Sequence, residues 1–253
     1  GEQAGFTLTA ADSGVLIIGA PTQDTVFTSP VVVQGAGGAL QRLEFRGGLQ
    51  LNAAADLSVV DGVFRTADAV VNGGSGVQFV GNRFRDGATL DIAAAASGHI
   101  ANNSLAGGLT GLRIGAAFTG AIRDNDIHGN QVGVRYDAGA ALGGNRIFGN
   151  GTGVRTTVSG AQALGAVGVA RPNDIRGNTT GVELVSASVR GQRIAANVVG
   201  VSGNGAVGGE SLDHANLIED NTTGVGTFSG TVQFNRIAGN GTGIRATTGL
   251  TIV

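Results

Sequence analysis

The chain has no cysteine, methionine, tryptophan or lysine, and only one tyrosine and three prolines in 253 residues. Without cysteine there can be no disulfide frame and no thiolate metal site. Without lysine, all sixteen basic residues are arginine, which fits a GC-rich coding sequence. Charged residues make up 13% and the formal net charge is −2, so the clustered basic excess that a nucleic-acid partner requires is missing. Long hydrophobic runs are also missing. Leu16–Ile18 and Val31–Val33 are far too short to cross a bilayer, so no membrane insertion is expected. A chain that starts at Gly1 with no methionine implies either removal of a signal peptide or a cut from a longer sequence.

Glycine is abundant, at 47 residues, but it follows no period of three and marks no polar low-complexity tract. It recurs instead inside a repeat. Asn145–Thr156 (NRIFGNGTGVRT) and Asn235–Ala246 (NRIAGNGTGIRA) are nearly the same dodecamer. Weaker copies begin at Asn125, Asn173, Gln192 and Asn216, and fade upstream through Asn103 to Asp61. With the first residue of the dodecamer as offset zero, the origins fall poorly near 43, then at 61, 82, 103, 125, 145, 173, 192, 216 and 235. The steps from 61 range from 19 to 28 residues, a looseness that short strands joined by loops tolerate and packed helices do not.

Three apolar columns accompany the repeat. Offset two holds Val63, Phe84, Leu105, Ile127, Ile147, Ile175, Ile194, Ile218 and Ile237. Offset nine holds Val70, Leu112, Val134, Val154, Val182, Val201, Val225 and Ile244. Three residues before zero stand Phe79, Ile100, Ile122, Leu142, Val189 and Val232. The residues around them alternate with period two and are rich in β-branched side chains, which means strand. Three inward columns per turn imply three short strands per coil, stacked in parallel.

This Asn/Gly/Ile pattern, over about Asp61 to Ile252, resembles the right-handed parallel β-helix of the pectate-lyase-like superfamily. The expected fold is all-β: a single-stranded right-handed parallel β-helix of about ten coils of three short strands. Residues 1–42 read as N-terminal strands or a cap on the solenoid. Residues 43–253 read as its repeats, expected to continue past the C-terminus or to stack on a partner. Asn at offset five (130, 150, 178, 197, 221, 240) is expected to tolerate the left-handed region and to form an amide ladder. Gly at offset eight is expected where φ is positive or backbones crowd.

For function, the resemblance implies Ca²⁺-dependent lyase or hydrolase chemistry, but neither carboxylate pattern can be placed. Asp124 and Asp126 are two apart, and Asp91 is isolated. Outward arginines at offset ten, Arg113, Arg135, Arg155 and Arg245, could fork onto the carboxylates of an acidic polysaccharide, or could be a solvated face. Two insertions, Ser159–Pro172 and Ser202–His214, should project from one flank about 10 Å apart. They bring together Arg171, Glu210, Asp213 and His214, which read either as a proton-transfer set or as ordinary loop residues. No cofactor and no metal is expected. The leading expectation is a non-catalytic extracellular or cell-surface segment that is adhesive or filament-forming, with copies of itself end to end as partners. The alternative is a carbohydrate-binding or polysaccharide-degrading module.

Overall fold

The computed structural model describes residues 1–20, 24–35, 37–166, 171–245 and 247–253. Its organising unit is a three-residue strand. Eleven of these, among them Ser104–Ala106, Asp126–His128, Arg146–Phe148 and Asp174–Arg176, stack with the two-residue strand Glu2–Gln3 in one parallel sheet that forms the first wall of a solenoid. The register is one-to-one: Leu105 lies on Ile127, Ile127 on Ile147, and Ile147 on Ile175. The expected coil count was about ten; the other coils lie before Leu43, where Glu2–Gln3 and Thr25–Phe27 pair in the same wall.

The second and third walls follow from the same logic. After Asp126–His128 the chain makes Val132–Tyr136, which pairs with Thr152–Thr156 one coil on, and then Ala140–Leu142, which pairs with Phe118–Arg123 one coil back. In other coils the two strands run together as one bent strand, as in Thr180–Val189 and Val199–Val207. There the corner is turned at Ser186 and Gly203, which have φ of 51° and 103°.

The three-residue strands are short because both ends are specified. From Asp126–His128 onward a left-handed residue follows each one: Gly129, Gly149, Gly177, Ala196, Asp220 and Gly239, all with φ between 53° and 66°. The next residue is the offset-five asparagine. These asparagines are not themselves left-handed, contrary to the expectation; their work is done by hydrogen bonds. The Asn130 backbone N–H and Nδ2 both donate to Asn150 Oδ1, at 3.0 and 3.1 Å. Asn150, Asn178, Asn197 and Asn221 repeat the arrangement. A second ladder runs through offset zero from Asn82 to Asn235, with Gln192 substituting in one coil. Each rung serves a buried backbone group that a turn would otherwise leave unpaired.

The inward columns form one continuous core. Upstream, where the offset-five asparagine is missing, the offset-two column becomes aromatic. Phe45, Phe64 and Phe84 stack at centroid separations of 4.7 and 4.4 Å. Two expected positions are corrected here. Val63 and Val70 do not face inward; Phe64, Ala69 and Val71 do. The first offset is Gly62 rather than Asp61, because Gly62 N–H donates to Asn82 Oδ1 at 2.9 Å. With a side-chain period of two, a slip of one residue reverses the face. Tyr136 is fully buried in the second wall, and its hydroxyl donates to Ala140 O at 2.9 Å.

Glycine at offset eight answers crowding, not dihedral freedom. A Cβ on Gly181 would lie 2.6 Å from Gly200 O and 2.9 Å from Asn197 Nδ2. The insertion at 202–214 is shorter than expected. Val199–Val207 continues as wall strand, and only the residues after it, up to the turn Leu212–His214, leave the coil.

Candidate functional site

Offsets one and three flank the inward isoleucine and therefore point out of the first wall. Across three successive coils they carry Asp126 and His128, Arg146 and Phe148, and Asp174 and Arg176. Charges of opposite sign thus fall on neighbouring rungs. Arg146 pairs with Asp126 at 3.3 Å, and Arg193, one coil further, with Asp174 at 2.6 Å. The His128 and Phe148 rings stack at 4.9 Å with 16° between planes, and Arg146 Cζ lies 5.3 Å from the Phe148 centroid.

Beside this stack, at the edge of the wall, lies an open groove of about 550 Å³ bordered by Asn102, Ser104, Asp124, Asp126, Arg146 and Arg171. Asp124 is its electrostatic centre. The residue is left-handed (φ 57°), and its carboxylate accepts from Arg123 at 2.6 Å and from Arg171, which reaches across from the first insertion. The bond from Arg123, then that from Arg171, holds the Asp124 carboxyl below the usual carboxylate range. A lowered folded value means stability that is present above the unfolded pKa of about 3.9 and lost as pH falls through the folded value. Asp124→Asn is therefore expected to lower the neutral Tm slightly, by the small amount a partly exposed ion pair contributes, and to match the parent as pH falls well below about 4, where the carboxyl is protonated in folded and unfolded chains alike, as scanning calorimetry across pH would measure.

The four residues expected to gather in the insertions separate. Arg171 borders the groove just described and points toward Asp124. Glu210 borders a second groove of about 450 Å³ with Gly160, Ser188, Arg190 and Gln233. No residue borders both grooves. Asp213 and His214 are exposed on a single turn. His214 Nδ1 is 3.5 Å from Ser211 Oγ, and among the described residues no hydrogen bond joins it to Glu210 or Asp213.

Of the offset-ten arginines, Arg113 pairs with Asp91 at 3.0 Å, Arg135 with Asp137 at 2.5 Å and Arg155 with Glu183 at 3.7 Å. Arg245 is exposed in the last coil. Among the described residues no group of three His, Asp or Glu side chains is placed to hold a metal ion. Nor, among them, is any helix long and apolar enough to cross a membrane.

Two features of the site escaped the sequence reading. Phe148 was legible, since a residue next to inward Ile147 has to face out. The Asp124–Arg171 pair was not, because it joins residues 47 apart through an insertion that follows no period.

No curated protein and no solved structure matches the chain. A family model described as "Right handed beta helix region" matches residues 68–223, more than half of it. That match covers the coils whose strands stack in parallel with asparagine ladders between them, and the chain belongs to the right-handed β-helix family.

Proposed function

We propose that this chain is a non-catalytic structural segment of the extracellular space or cell surface, a rod that serves as spacer or adhesive element and associates with copies of itself. The observation that carries this reading is where the charges go. Three of the four outward arginines of the second wall are held by carboxylates of the same chain, and in the first wall Arg146 and Arg193 pair with Asp126 and Asp174 on neighbouring rungs. Such a surface is self-neutralised: it resists non-specific association and spends its arginines internally. Among the described residues no hydrogen bond joins Arg171, Glu210, Asp213 and His214 to one another, and proton transfer within that set would need such contacts.

One observation favours a second reading, that of a carbohydrate-binding module. Phe148 is an aromatic surface beside a groove with both carboxylate and guanidinium groups, and sugars dock on such platforms.

Incubation with uronic-acid polymers, with and without Ca²⁺, decides first. No unsaturated product is expected by absorbance. Product that disappears in Glu210→Gln or His214→Ala would replace the structural reading with an enzymatic one. Retention on immobilised acidic polysaccharide that is lost in Phe148→Ala would support the binding module.

A further inference from the structure

Asparagine at offset five and threonine at offset seven together spell Asn-x-Thr wherever both columns are kept. Four such tripeptides begin at Asn150, Asn178, Asn221 and Asn240. A fifth, Asn102-Asn103-Ser104, straddles offset zero in an earlier coil. This tripeptide is the acceptor of N-linked glycosylation, whose chemistry takes place at the asparagine Nδ2. The fold treats the five differently.

In the four ladder copies the amide nitrogen is already in use. Asn150 Nδ2 donates to Ile127 O at 3.1 Å and to Asn178 Oδ1 at 3.0 Å. Asn178 Nδ2 donates to Ile147 O at 3.1 Å and to Asn197 Oδ1 at 3.0 Å. Asn221 repeats the pattern, and Asn240, in the last coil, donates to Ile218 O and Ala238 O at 2.9 and 3.0 Å. Asn150, Asn178 and Asn221 are also no more than 3% exposed. A sugar on any of these would remove a ladder rung and need space that the core lacks.

Asn102 stands otherwise. It is the left-handed residue (φ 57°) just before ladder residue Asn103, so the chain turns its carboxamide outward while Asn103 goes in. It is exposed, and among the described residues its side chain makes no hydrogen bond. Ser104, two residues on, lies on the same outer edge, so the amide and the hydroxyl of the tripeptide both border the open groove beside Asp124.

We propose that Asn102 is an N-glycosylation acceptor, the one tripeptide of the five that folding leaves open. With a nucleotide-activated hexose as donor, Asn102 Nδ2 forms the bond to the anomeric carbon and the bond from that carbon to the diphosphate oxygen breaks. The nucleoside diphosphate leaves with the electron pair, and the amide proton passes to base. The ladder tripeptides arise because a coil needs asparagine inside and tolerates threonine outside; they carry no modification in the folded chain.

The test incubates the folded protein with a soluble N-glycosyltransferase and a nucleotide-activated hexose, with site occupancy read by peptide mass spectrometry. Synthetic peptides spanning 99–107 and 175–183 run in parallel. The expected result is one hexose on the protein, at Asn102, lost in Asn102→Gln and in Ser104→Ala, with the thermal midpoint of Ser104→Ala within a degree or two and that of Asn102→Gln lower by no more than a few degrees, the strain of glutamine at a left-handed position. Both free peptides accept hexose, whereas Asn178 in the folded protein does not. Absence of hexose on the folded protein while peptide 99–107 is modified overturns the proposal. So does failure of that peptide to accept, and so does hexose on Asn150, Asn178 or Asn221 of the folded chain.

Discussion

Gly181→Ala is expected to lower stability by about 3 kcal/mol or more, a fall in Tm of roughly 8 °C for a chain of this size. Gly181 has ordinary negative φ, so the loss does not come from its dihedrals. It comes from the Cβ, which would meet Gly200 O at 2.6 Å and both Asn197 Nδ2 and Ile194 Cγ2 at 2.9 Å. The carbonyl belongs to the next coil's backbone and cannot rotate away. Relief would require two coils to move apart along the axis, breaking the hydrogen bonds that join them. Gly177, in the same coil, provides the contrast. Its φ is 61°, and a Cβ there would meet nothing within 4 Å. Gly177→Ala is expected to cost only the left-handed strain, about 1–2 kcal/mol. Guanidinium unfolding of the two variants side by side checks this. Equal losses would mean that the offset-eight column is not a close-approach column.

Asn178→Ala is expected to cost on the order of 4 kcal/mol. Its Oδ1 accepts from the Asn150 backbone N–H and Nδ2 at 2.9 and 3.0 Å, while its Nδ2 donates to Ile147 O and Asn197 Oδ1. Alanine strands the Asn150 N–H and the Ile147 carbonyl inside the solenoid, where each unsatisfied group costs about 1–3 kcal/mol. The same change at Asn240, half-buried in the last coil, lets water replace the lost partner and should cost about 1 kcal/mol. Amide hydrogen exchange would locate the damage. Protection should fall in the coils carrying Asn150 and Asn197, on either side of the change, and hold in the phenylalanine-stacked coils around Phe64.

These two positions also show why the fold was legible. Asparagine and glycine at fixed offsets are required by geometry that every coil repeats, so their spacing reports the coil directly. The reading weakened where that requirement lapsed. Around Asp61 the ladder asparagine gives way to Gly62 and stacked phenylalanines, and the frame slipped by one, placing Val63 and Val70 on the wrong face. The candidate site was less legible. Offset arithmetic places Phe148 outside, but nothing in the repeat brings Arg171 to Asp124 or keeps it from Glu210. Insertions obey no period, and their course is set by what they touch.

Residue spacing settles the wall architecture, the inward columns from Leu105 to Ile218 and the amide ladder at offset five, because one-dimensional stacking turns local pattern into global structure. Tertiary structure alone decided which arginine meets which carboxylate, which groove each insertion borders, and which of five chemically equivalent asparagine amides remains free. Those outcomes depend on contacts between residues far apart in the chain, where side-chain reach and burial decide among partners that spacing leaves equal.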